Sequence, residues 1–327
     1  GRFEQGSHEQ GSHEQGSHEQ SRYVKVQVPN PLNFLRGLGF PYTAAATPRG
    51  VEPVAQASKL GDFYDTEWAR SPLAQATRTA ALETVGRAVT LAACRPEVRN
   101  TDRIDALSGP AIFVANHQSH LDTALLLTTI PKPWRQQLVV AAAADYFFDT
   151  RHSAALAAWA YGAVPMERNK VSRRSADRAA GLLADGWSLL IFPEGGRSMD
   201  GWGLPHKGGA AYLSVKCSIP IIPIHLEGTG RVMRKGSKTL NPQTVVVNIG
   251  APLLPADGQD ARSFAVSIEQ AVAELADETS SDWWSARKRA SSGETPSLAG
   301  PDHDSWRRDW TSPEHKPRAT EPRSWPN

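Results

Sequence analysis

Cysteine is nearly absent: Cys94 and Cys217 are the only two in 327 residues. They stand far apart in apolar company, which excludes a disulfide framework and a cysteine-based zinc site. Two buried thiols in a reducing compartment are expected. Charge of one sign is lacking as well. With 36 Lys and Arg against 34 Asp and Glu, the net charge is +2. Bulk charge therefore gives no argument for a nucleic-acid partner, and any anion site must be built locally. Long apolar runs are missing too. Uncharged stretches such as residues 152–166 fall short of the about 20 residues a membrane-spanning helix needs. No apolar core of a signal peptide is visible. No transmembrane helix is expected, and contact with a membrane surface stays open.

Hydrophobic residues make up 40% and charged residues 21%, which suits a soluble globular body. The 24 prolines and 26 glycines are abundant at both ends and predict a folded middle with loose termini. Residues 6–20 are three copies of Gly-Ser-His-Glu-Gln, a polar repeat with nothing to bury. We expect a disordered low-complexity tail over 1–60, one folded domain over 61–278, and a second disordered tail over 279–327. The last contains Trp283, Trp284, Trp306, Trp310 and Trp325 among arginines.

Inside the folded part, strands and helices alternate. Residues 71–95 predict a helix, with Pro72 in its first turn and Pro96 stopping it. Leu82, Val85, Val89 and Ala92 form its apolar face, for packing on the core or for lying on a membrane. Strands are expected at 111–115, 138–142, 188–192, 219–226 and 244–249. Helices are expected at 119–129, 153–161, 172–185 and 208–215. Phe264, Ile268, Val272 and Leu275 mark a last amphipathic helix. This order predicts an α/β fold: a mostly parallel central sheet flanked by helices, with an N-terminal helix and disordered tails. Pro223 places its strand near an edge or a bulge.

Two motifs carry chemistry, and each follows a predicted strand. The first is Asn116-His117-Gln118-Ser119-His120-Leu121-Asp122. A histidine at a strand-to-helix junction can act as a base at neutral pH. A carboxylate on its other ring nitrogen would fix the tautomer. Five residues of ideal helix turn through about 140° beyond a full revolution. His117 must therefore sit in the turn before the helix, with Asp122 reaching back from inside it. The second motif is Phe192-Pro193-Glu194-Gly195-Gly196-Arg197-Ser198. Its glycines admit close approach of a ligand to the backbone, and Arg197 can grip a phosphate. Glu194 is expected to accept hydrogen bonds from acceptor hydroxyls or to position Arg197.

The two motifs, in this order and about 75 residues apart, resemble the marks of the glycerol-phosphate and lysophosphatidic-acid acyltransferase family. Gly162-Ala163-Val164-Pro165-Met166-Glu167-Arg168 is similar to the family's intervening block. Ile219-Pro220-Ile221-Ile222-Pro223-Ile224 is similar to its fourth block, and His206-Lys207-Gly208-Gly209 to its Lys-Gly step. The resemblance covers residues 105–255. It implies transfer of an acyl group from acyl-CoA or acyl carrier protein to a lysophospholipid hydroxyl, with His117 as base and Asp122 orienting it. It implies that Arg168, Arg197 and Lys207 hold the acceptor phosphate. Gly195, Gly196 and their neighbours would offer backbone N–H groups to an oxyanion or the phosphate. No metal and no cofactor are implied, and the protein would sit peripherally on the cytoplasmic face of a membrane. Gly196 stands where the family usually has threonine, and Pro165, Met166, Glu167 and Arg234 also depart from its pattern. Another lysophospholipid or a glycolipid therefore stays open as acceptor. A thioester hydrolase using the same His–Asp base, and a non-catalytic lipid- or carrier-binding protein, are the competing readings.

Overall fold

Apolar runs too short to cross a membrane are long enough to cross a sheet, and this chain stacks seven strands into one. The computed structural model describes residue 61 and residues 64–167, 173–198, 201–233 and 239–299. The Gly-Ser-His-Glu-Gln repeats, Arg168, Arg234, Trp306, Trp310 and Trp325 lie outside the described residues. The strands are β1 (Pro96–Arg99), β2 (Ile112–Ala115), β3 (Leu138–Ala143), β4 (Ala163–Met166), β5 (Ser188–Ile191), β6 (Ile221–Glu227) and β7 (Val245–Ile249). Their order is β1-β7-β6-β2-β5-β3-β4. All neighbours are parallel except β6 and β7, which are antiparallel.

The helices are α1 (Pro72–Ala81), α2 (Arg87–Cys94), α3 (Leu121–Thr129), α4 (Lys132–Gln136), α5 (Ala144–Phe147), α6 (Arg151–Tyr161), α7 (Arg173–Ala184), α8 (Gly209–Cys217), α9 (Thr229–Val232), α10 (Ala261–Ser280) and α11 (Trp283–Ser292). None is long and apolar enough to cross a membrane, among the described residues. Phe113 and Ala115 of β2 join a core formed with α2 and α3, while Ile112 and Val114 join a second core formed with α7, α8 and α10. Both faces of the sheet are covered, so its central strands are apolar throughout rather than alternating. Phe264, Ile268, Val272 and Leu275 of α10 are all buried.

Two expectations change, and the one for Pro223 holds in its second form, a bulge. The apolar face expected of the first helix packs only at Leu82: Val85, Val89 and Ala92 are exposed. A π-helical turn over Leu82–Gly86 joins α1 to α2, and its wider pitch rotates everything after it. Contact with the body is made instead by Ala74, Arg78, Thr90, Ala93 and Cys94.

Pro223 lies in an interior strand, between β7 and β2. Its carbonyl accepts from Gly250 N (2.8 Å), so its missing N–H would point to the same side, where the antiparallel ladder has ended. Ile221 then pairs with Leu253, leaving one extra residue on the partner chain, a bulge. A Cβ on Gly250 would come within 2.7 Å of Pro223 Cγ. The glycine thus makes room for the proline ring.

The tail expected to be disordered from 279 is ordered as far as 299. Residue 278 is no boundary, because α10 runs through it. Asp282 caps α11 by accepting from Ser285 N. Arg289 of α11 grips the buried Asp277 of α10 with two bonds, of 2.7 and 2.6 Å. Ala286 is buried between them. A bidentate ion pair and one small side chain hold this helix, which is why its polar composition hid it.

Candidate active site

Strands β2 and β5 are separated by more than seventy residues of chain yet are parallel neighbours, with Val114 paired to Ile191. Both sequence motifs begin where these strands end, so the two loops emerge side by side. The backbone of His117 is tied to the second loop at both polar groups. Its N–H donates to Glu194 Oε1 (2.9 Å), and its carbonyl accepts from Ser198 N (2.9 Å). Its ring stacks on Phe192, with centroids 4.1 Å apart and planes 21° from parallel.

Asp122 stands in the first turn of α3 and reaches back to His117 Nδ1 at 2.8 Å. The same oxygen, Oδ2, accepts from Gln118 N (2.7 Å) and Ser119 N (2.8 Å). Asp122 is fully buried. An acceptor-only carboxylate assigns the Nδ1 proton to the histidine, which leaves the Nε2 lone pair as the base. The His117 side chain keeps 18% exposure, enough for Nε2 to be approached. Asn116 clamps the end of β2 to β6 by a pair of bonds with Leu226, 3.0 and 2.7 Å. Ser119 Oγ donates to Met233 O (2.9 Å) and fixes the loop to the residue after α9.

Glu194 lies buried between the two loops. It is 4% exposed, and its second oxygen accepts from Leu204 N (3.0 Å). Both carboxylate oxygens are engaged by backbone N–H groups, so Glu194 is a strut between loops. Burial pushes its carboxyl up to about 8. The Leu204 and His117 N–H bonds oppose that rise, and the Asp122 and Glu269 charges add to it.

Gly195 differs from its expected use. Its N–H donates to Phe192 O (3.1 Å), so it is not an oxyanion donor. It is required for another reason: its φ is +68°, and a Cβ would lie 3.0 Å from Lys207 Cε and 3.1 Å from Nζ. Lys207 therefore lies across the Gly195 backbone, anchored by its own N–H to Pro193 O (2.9 Å). Gly196 has open space where a side chain would project. Arg197 is half-buried beside His120, whose pKa is lowered by burial first and then by the charges of Arg197 and His117. His120 is exposed and makes no pair with Asp122. Arg168 lies outside the described residues.

The structure brings together His117, Asp122, Glu194, Gly195, Gly196, Arg197 and Lys207. It adds Phe192, Asn116 and Ser198, which stood in the motifs without an assigned task. It also adds Leu204, for which no sequence signal existed, because only its backbone N–H is used. This arrangement can take a proton from a hydroxyl beside a cationic loop.

Residues 95–227 match the family model described as Acyltransferase, and this segment contains all of these residues. The chain is 31% identical over 169 residues to the chloroplastic 1-acyl-sn-glycerol-3-phosphate acyltransferase BAT2 of Brassica napus, covering 49% of this chain and 45% of that protein. It is 32% identical over 133 residues to the 1-acyl-sn-glycerol-3-phosphate acyltransferase alpha of Homo sapiens, covering 40% and 44%. The matches thus span less than half the length of these curated relatives. The crystal structure of the 1-acyl-sn-glycerophosphate (LPA) acyltransferase PlsC from Thermotoga maritima is similar at 25% identity and a TM-score of 0.49, over 64% of this chain and 81% of that one.

Proposed function

We propose, from the match of residues 95–227 to the family model described as Acyltransferase, that the protein moves a fatty acyl group from a thioester to a hydroxyl of a lysophospholipid such as 1-acylglycerol-3-phosphate. Acyl-CoA or acyl carrier protein is the donor. The observation that carries the reading is the 2.8 Å pair between His117 Nδ1 and a fully buried Asp122, with Nε2 left for chemistry. His117 Nε2 takes the proton of the acceptor hydroxyl as its oxygen attacks the thioester carbonyl. A carbon–oxygen bond forms, the carbon–sulfur bond breaks, and the imidazolium returns the proton to the leaving thiolate. Asp122 stabilises the imidazolium between those steps. Arg197 and Lys207, with Arg168, hold the acceptor phosphate, and Gly196 supplies a backbone N–H. A hydrolase has no comparable use for a cationic loop beside its base.

The test is transfer from radiolabelled oleoyl-CoA to a panel of lysophospholipids. We expect esterification of an acceptor bearing a phosphate. Release of free fatty acid at a rate indifferent to every acceptor would replace this reading with thioester hydrolysis.

Lipid substrates imply a membrane surface, and the exposed stripe of Val85, Val89, Leu91 and Ala92 supports attachment through α2 at the cytoplasmic face. This helix ends at Cys94, whose thiol is pushed up to about 11 by burial and by the Asp122 charge. Burying a valine contributes about 1.5–3 kcal/mol at most. Val85→Asp with Val89→Asp should lower co-sedimentation with phosphatidylglycerol-containing vesicles by about tenfold or more, with the melting temperature unchanged. Equal binding by the variant would show that α2 is not the contact.

A further inference from the structure

We infer that Leu298, far beyond the family-matched segment, is a positioning residue that holds His117 in place through a relay of backbone hydrogen bonds. This rests on the reading of His117 as the base. After α11 the chain returns to the site, and Leu298 O accepts from Gly203 N at 2.8 Å. The fit is close: a Cβ on Gly203 would come within 3.1 Å of Leu298 Cβ. The Leu298 side chain is half-buried against the core of α7, α8 and α10, which gives the segment a fixed seat.

The next residue carries the effect inward. Leu204 N donates to Glu194 Oε2 (3.0 Å), and Glu194 Oε1 accepts from His117 N (2.9 Å). The far end of the same loop is tied to α10 by His206 N donating to Glu269 Oε2 (3.1 Å). Residues 201–206 are therefore held on two flanks, and what they present between them is the Leu204 N–H. A buried carboxylate with two donors is a rigid link, because leaving either donor unmatched is costly. If Leu298 lets go, Gly203 and Leu204 gain room to move. Water then reaches Glu194, and the acceptor for His117 N–H is no longer fixed. Displacement of a reacting group by about 1 Å can cost about 100-fold in rate, so a partial loosening should be visible. Plain core packing by Leu298 would predict local loosening only.

The experiment uses the full chain carrying Leu298→Asp or, separately, Gly203→Ala, which pushes Leu298 away by a few tenths of an ångström. Amide exchange is followed by NMR at Gly203, Leu204 and His117. Transfer from oleoyl-CoA to 1-oleoylglycerol-3-phosphate is measured alongside. We expect all three amides to exchange about tenfold faster together, and kcat to fall about tenfold with the KM for oleoyl-CoA unchanged. Acceleration confined to Gly203, with His117 as protected as in the wild type, would overturn the relay. Exchange needs no turnover. A wild-type protein that transfers nothing would therefore sink the acyltransferase reading and still leave the relay to be decided. Should Leu298→Asp fail to fold, the milder Gly203→Ala gives the same contrast.

Discussion

Replacing His117 with alanine is expected to lower acyl transfer by about 1,000-fold, within the 10²–10⁴ range of a positioned general base. The loss should fall on kcat, since the ring touches the proton in transit and not the bulk of either substrate. Stability should fall by about 1–2 kcal/mol, because loss of the ring removes one hydrogen bond to the buried Asp122 and one ring stack, while Gln118 N and Ser119 N still donate to that carboxylate. Asp122→Asn should cost less. An amide oxygen in the place of Oδ2 still accepts from His117 Nδ1, Gln118 N and Ser119 N, so geometry and tautomer survive. Only the negative charge facing the imidazolium is gone. The double variant should be no worse than His117→Ala, because the two groups act as one unit. Retention of more than about a tenth of the wild-type rate by His117→Ala would remove His117 as the base.

The second large effect concerns Glu194. Glu194→Ala strips the acceptor from two buried N–H groups, of His117 and Leu204. At about 1–3 kcal/mol for each unmatched donor, melting should shift down by several degrees. The rate should fall about 100-fold, because the His117 backbone loses one of its two ties. The pH behaviour is the sharper signature. The Glu194 carboxyl titrates near 8 in the folded protein and near 4.5 as a free side chain. Between those values the folded chain holds a proton that the unfolded chain has released. Stability conferred at low pH is therefore lost as pH rises through this window, by a few kcal/mol in all. The rate should move the other way. Only the ionised carboxylate accepts fully from both donors, so kcat should rise with a midpoint near 8. Glu194→Gln should flatten both curves. A Gln variant with the wild-type pH profile would show that ionisation of Glu194 has no part in holding the loop.

Much of the fold could be read from residue patterns because strand and helix periods are local. The apolar runs at β2, β3, β5, β6 and β7 announced themselves, and so did the helical spacing of Phe264, Ile268, Val272 and Leu275. β1 did not, since Pro-Glu-Val-Arg has one branched apolar residue and depends on β7 for its pairing. α11 was hidden for a related reason: the Asp277–Arg289 fork that holds it is a tertiary contact. The helical spacing of Val85 and Val89 could not decide between a packed and an exposed face, because a period of 3.6 does not hold through the π-helical turn. At the site, the turn geometry of His117 and Asp122 followed from rotation per residue alone. The task of Glu194 could not, because its partners are backbone N–H groups set beside it by the adjacency of β2 and β5.

The order of strands has a practical consequence for anyone who would excise the family-matched segment. A chain cut after Glu227 would lose β7, and with it the only partner of β1 among the described residues. β6 would become a bare, apolar rim offering unpaired N–H and C=O groups along its length, the sort of surface that recruits strands from other molecules. It would also lose Phe264, Ile268 and Val272, the lid over one side of the sheet. Solubility, more than turnover, would be the first property to fail.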